Sequence, residues 1–152
     1  MSDTPRLYIP ALAPLYQKLD CVALPMLRIV MGAVLFPHGC QKLFGWFGGA
    51  GLEKFGQIFG GLGYHPGWLW AVLVGSTEAL GGILLAVGLF TRPAALAITI
   101  FMLNAIYWTS EKGFFWTKGG SEYSIVILAV ALVFLFRGGG RCSLDRAIGR
   151  EF

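Results

Sequence analysis

The sequence is short of charge. Only 13% of its 152 residues are Asp, Glu, Lys or Arg, where an ordinary soluble domain carries about 25%. Apolar residues make up 56%. A chain this small cannot hide so much apolar surface in its own core, so a soluble globular domain is excluded and lipid must cover the excess. Cysteine is scarce too: Cys21, Cys40 and Cys142 are odd in number and form no C-x-x-C, which excludes a disulfide framework and a thiolate zinc site. The only histidines, His38 and His65, bring no further ligands at diagnostic spacing, so no metal site is expected. No glycine-rich nucleotide fingerprint sits on a strand–helix unit, and no nucleophile–base–acid set is visible. The first 20 residues carry Pro5, Pro10 and Pro14 without a basic segment leading into an apolar core, so insertion is expected to fall to the first spanning helix. The net charge of +4 comes without a basic stripe beside exposed aromatics, and nucleic acid is not expected as a partner.

What the sequence has is long apolar runs. Four of them, at about 21–44, 67–90, 93–110 and 121–136, suit a hydrocarbon core ~30 Å thick at ~1.5 Å of helix per residue. The fourth is short for the task. The expected fold is an all-α membrane protein: a four-transmembrane-helix bundle over residues 21–136, an N-terminal tail (1–20) and a basic C-terminal tail (137–152). Between the first two spans, Leu52, Phe55, Phe59 and Leu62 recur at helical spacing with Glu53, Lys54 and Gln57 opposite. This pattern predicts a short interfacial amphipathic helix. Arg6, Lys18, Arg92, Arg137, Arg141, Arg146 and Arg150 fall on one side of this topology, and Lys42, Lys54, Lys112 and Lys118 on the other. The excess puts both termini in the cytoplasm. Trp46, Trp68 and Trp116 then mark the outer interface.

Charge inside a span costs about 2.5–3.5 kcal/mol even on insertion scales, so each intramembrane polar residue needs a reason. Glu78 lies on a seam of small residues, Gly75, Ala79, Gly82 and Ala86, which lets a neighbouring helix approach closely and turns Glu78 inward. Arg28, His38 and Lys42 share one face of the first span, within about 80° at 100° per residue. If the spans are aligned by their ends, Glu78 falls between Arg28 and His38 in depth. Two readings follow: a structural ion pair between Arg28 and Glu78, or a proton-exchanging pair of His38 and Glu78 at a pocket completed by Lys42, Asn104, Trp108 and Tyr123. Lys42 also reads as an interfacial anchor, and Trp108 and Tyr123 as packing aromatics.

Several segments resemble the DoxX family of small bacterial membrane proteins. They are Arg28-Ile-Val-Met-Gly32, His38-Gly-Cys-Gln-Lys42-Leu43, Glu78 with Gly81-Gly82-Ile-Leu-Leu85, Gly88-Leu-Phe-Thr-Arg92-Pro93 and Gly140-Arg-Cys-Ser-Leu-Asp145. The resemblance runs from about Leu24 to Arg146. It implies a four-helix bundle in the bacterial inner membrane and a redox or quinone connection. With the polar pocket, this makes a membrane subunit of a quinone-linked oxidoreductase or redox-stress complex the leading expectation. The catalytic candidates are His38 and Glu78, and the quinone-binding candidates are Lys42, Asn104, Trp108 and Tyr123. Quinone is the one cofactor implied. The expected partners are the lipid bilayer and a protein partner or further copies of the chain. A non-catalytic anchor or assembly subunit is the alternative, followed by an oligomeric transporter of a small solute or proton.

Overall fold

The computed structural model describes residues 7–151. Arg6 and the rest of the first six residues lie outside the described residues, as does Phe152. Six α-helices run in order: α1 (Ala13–Phe44), α2 (Gly51–Gly61), α3 (Gly67–Val87), α4 (Thr91–Ser110), α5 (Glu122–Arg137) and α6 (Leu144–Ile148). There is no strand among the described residues. The helix containing Phe44, counted from Pro10, is long and apolar enough to cross a membrane, and so are α3 and α4. At 16 residues, α5 extends only about 24 Å, as the short fourth apolar run implies.

The exterior is apolar. Met26, Ile29, Leu80, Ile83, Leu96, Leu103 and Val126 are all exposed along α1, α3, α4 and α5. The interior, by contrast, buries Arg28, Glu78, Thr99, Ser124 and Asp145 beside a core of Met31, Leu35, Leu85, Ile98, Met102, Ile127 and Phe134. Water would not tolerate that arrangement, whereas lipid requires it. This is a membrane protein in contact with the bilayer.

Three boundaries differ from expectation. Residues 13–20, expected in the tail, open α1, with Pro14 in its first turn, where a missing N–H costs nothing. The second span stops at Val87 rather than 90, because Gly88 takes a left-handed φ of 71°. A β-carbon there would also fall on the Arg28 guanidinium, so only glycine fits. The C-terminal segment, expected as a basic tail, instead folds back over the bundle end and places Asp145 in its interior.

The helices meet where side chains are smallest. A β-carbon at Gly39 would collide with the backbone of Gly75 and Ala79, and one at Gly32 with Gly82 and Ala86. The seam on α3 therefore docks on a matching pair of glycines seven residues apart on α1, the close approach that drives helix association where lipid supplies no hydrophobic force. This docking fixes the axial register. Lys42 and Leu43 lie beside Gly75, so α1 ends about six residues, ~9 Å, inside the start of α3. Helix α2 packs over that ledge, with Gly56 and Gly60 against Gly67 and Trp68. Leu52, Phe55 and Phe59 turn inward while Glu53, Lys54 and Gln57 are exposed, the two faces its sequence predicts.

Candidate functional site

The register changes the partners of the buried charges. Glu78 does not pair with Arg28. Its Oε2 accepts from Lys42 Nζ at 2.5 Å, with the two side chains 6% and 14% exposed. Arg28 instead donates to the Cys142 carbonyl oxygen at 2.7 Å, beside Gly88 at the opposite end of α3. End-to-end alignment of the spans failed because the glycine docking sets α1 deeper than α3. Lys42, the residue that also read as an interfacial anchor, is thereby carried inward to Glu78.

Two further contacts hold Lys42. Its ammonium approaches the His38 carbonyl oxygen at 3.5 Å and lies 5.4 Å from the centre of the Phe55 ring, within cation–π range. Phe55 reaches it because α2 covers the end of α1. The ammonium is thus enclosed by a carboxylate, a carbonyl and an aromatic face. As an ion pair, Lys42 and Glu78 present no net charge to their surroundings.

Lys42 also lines a cavity of about 400 Å³ between α2, α3 and α4. Its wall is mostly apolar, including Phe59, Leu62, Trp70, Val74, Ala97 and Phe101, and its polar members are Lys42, Tyr64, Thr77, Asn104, Trp108 and Thr109. Leu73 and Ile100, also in the wall, are exposed on the outside of the bundle. The cavity therefore opens sideways, toward lipid.

On the α4 side of the cavity, Tyr64 organises the polar groups. Its hydroxyl donates to Asn104 Oδ1 at 3.2 Å and accepts from Trp108 Nε1 at 2.9 Å. The Tyr64 ring leans against Trp70 at 5.0 Å and Phe59 at 6.0 Å. Asn104 Nδ2 donates back to the Ile100 carbonyl at 3.0 Å. An amide nitrogen has two N–H groups and an ammonium three, so both Asn104 and Lys42 keep a donor for a ligand.

The structure thus brings Lys42, Asn104 and Trp108 together at one cavity. It does not bring His38, Glu78 or Tyr123 to the cavity wall. His38 packs against Tyr123 of α5, ring centres 5.9 Å apart, and it is Lys42, not His38, that bonds Glu78. The expected His38–Glu78 pair is therefore replaced, with Glu78 acting on the cavity only through Lys42. Sequence reasoning missed Tyr64. Its signal was a lone aromatic among the loop glycines 60–67, next to an amphipathic helix already expected to cover the site. No group of three or more His, Cys, Asp or Glu side chains converges among the described residues.

A profile of the DoxX family matches residues 23–111, a stretch that holds Lys42, Glu78, Tyr64, Asn104 and Trp108. The chain belongs to the DoxX family. Among its relatives is a Haemophilus influenzae protein, 33% identical over 126 residues that cover 80% of this chain and 87% of that one. A Mycobacterium tuberculosis membrane protein is 31% identical, covering 82% and 80%. A Bacillus subtilis protein bearing the name "Putative oxidoreductase CatD" is 28% identical, covering 79% and 82%. No solved structure matches the chain significantly. The DoxX profile ends close after α4, so the cavity falls wholly within the matched region while α5, α6 and the folded-back segment lie beyond it.

Proposed function

We propose that this DoxX protein is a membrane subunit of a quinone-linked oxidoreductase, in which the cavity beside Lys42 takes the quinone head. In this reading α5 completes four spans of a bacterial inner-membrane bundle, with both chain ends in the cytoplasm. The observation that carries it is the cavity itself: an apolar, laterally open chamber with two uncommitted donors, from Lys42 and Asn104.

The residues fit such a ligand. A quinone is uncharged, arrives through lipid and has two carbonyl oxygens that accept hydrogen bonds. The neutral Lys42–Glu78 pair imposes no charge on it, and ligand pockets are in general apolar with few placed polar groups. Once bound, a quinone would accept two electrons and two protons. The chain's part is to bind and orient the head, to exclude water with Phe59, Leu62 and Trp70, and to hold at Lys42 Nζ one of the protons that a reduced head would take up, with the Glu78 carboxylate accepting the hydrogen bond that positions Nζ. Tyr64 and Trp108 fix the face that the Asn104 amide presents. The chain has no recognisable electron carrier, so a partner protein delivers the electrons. The oxidoreductase wording in the name of the Bacillus subtilis relative supports the same class of function.

Mass spectrometry of the lipid extract from protein purified in mild detergent provides the test. The wild type is expected to retain quinone near one per chain. Asn104→Leu removes one donor without touching the ion pair, and is expected to lower retention about tenfold, the effect of one good hydrogen bond. Wild-type protein that carries a stoichiometric protein partner but no quinone would instead make it an anchor or assembly subunit.

A further inference from the structure

We infer that the cleft at the opposite end of the bundle, beneath α6, is a binding site for the phosphate of an anionic phospholipid. This cleft of about 460 Å³ is lined by Arg137, Arg146, Arg150, Asp145 and Glu151 among others. Three arginines converge on it, and none has an ion-pair partner among the described residues. The two carboxylates in the wall are committed elsewhere. Asp145 accepts from the Phe90 and Thr91 amides through both oxygens, and Glu151 Oε1 accepts from the Gly139 amide. Three guanidinium groups therefore face two backbone-bound carboxylates, and the cleft keeps a positive excess.

Guanidinium groups suit phosphate because their forked donors bind its oxygens in pairs. Space is sufficient. The volume corresponds to roughly fifteen waters at ~30 Å³ each, more than one phosphate needs and room for a phosphodiester with its glycerol. Apolar surface adjoins the cleft on either side: Phe136, next to Arg137, is 73% exposed, and Leu144 and Ile148 of α6 are exposed as well. A headgroup in the cleft would leave its acyl chains along that surface. Free phosphate shares the headgroup's chemistry but would make no use of the apolar flank.

The test uses the full chain in nanodiscs of phosphatidylcholine with or without 30% phosphatidylglycerol, read by native mass spectrometry and by thermal denaturation. Wild type is expected to retain phosphatidylglycerol and to melt higher in its presence. Arg146→Gln with Arg150→Gln is expected to weaken retention on the order of thirtyfold, at about one surface charge's attraction per arginine. Arg141→Gln, outside the cleft wall, serves as the control and should retain lipid as wild type does. Protection by inorganic phosphate in pure phosphatidylcholine, lost in the double variant, would keep the site and assign it to free phosphate. Equal loss in Arg141→Gln and the double variant would reduce the effect to general surface attraction and overturn the inference. So would unchanged retention in the double variant. Neither result bears on the cavity beside Lys42.

Discussion

Glu78→Gln is expected to destabilise the bundle by about 3–5 kcal/mol, the usual result of stripping one partner from a buried ion pair. The loss comes from Lys42. Its ammonium, 14% exposed and 2.5 Å from the carboxylate, would keep only a carbonyl, an aromatic face and a neutral amide. Lys42→Met should cost a similar amount for the mirror reason. Together, Lys42→Met and Glu78→Gln should cost far less than the sum, because no charge remains to be buried. Arg28→Met combined with Glu78→Gln should be additive. Arg28 serves the Cys142 carbonyl beside Gly88, ten residues or about 15 Å of helix from Glu78, and sites that far apart do not couple. Reversible unfolding in mixed detergent–SDS micelles measures all of these. Coupling of Glu78 to Arg28 rather than to Lys42 would show that α1 and α3 dock in another register.

Asp145→Ala is expected to cost about 3–5 kcal/mol. This carboxylate is 2% exposed and accepts from Phe90 N at 2.7 Å and Thr91 N at 2.9 Å. Both amides open α4, whose capping residue makes no side-chain cap bond. Each buried amide left without an acceptor costs about 1–3 kcal/mol, and loss of a negative charge at a helix N-terminus adds up to ~2 kcal/mol. Phe90 adds to the demand, since its φ of 48° is a conformation that non-glycine residues rarely adopt. Asp145→Asn keeps one acceptor but turns a donor toward the other amide, and should recover less than half of the loss. The readout is the same unfolding assay, with protease accessibility of residues 138–151 as a second. A stable Asp145→Ala protein whose C-terminal segment stays protected would mean that the segment is held by other contacts.

Much of the fold could be read from residue spacing. The apolar runs place α1, α3, α4 and α5, and the repeat at Leu52, Phe55 and Phe59 gives the inward face of α2. Asn104 and Trp108, four residues apart, share one helix face and line one cavity. Spacing gives rotation about a helix axis but not displacement along it. Spacing gives the helix faces of Arg28, Glu78 and Lys42, yet their partners depend on which glycines dock. A signal for that was present. Gly32 and Gly39 repeat at seven residues, as do Gly75 and Gly82, and antiparallel alignment of the two pairs brings Lys42 to within about one turn of Gly75, on the side of the Glu78 face. Tyr64 and Asp145 were not legible in this way. Tyr64 acts from a glycine-rich connection and Asp145 from the short helix α6, each on a helix distant in sequence, where no periodicity reports the contact.

The proposed function puts the quinone head in the cavity walled by Lys42, Tyr64, Asn104 and Trp108. Photolabelling of the protein in nanodiscs with an azido-substituted quinone, followed by peptide mapping, locates that head. Labels are expected on residues 59–77 of the α2–α3 region and 97–109 of α4, with competition by unlabelled quinone. Labels centred on His38 and Tyr123, or spread evenly over the lipid-facing side chains and insensitive to competitor, would contradict it.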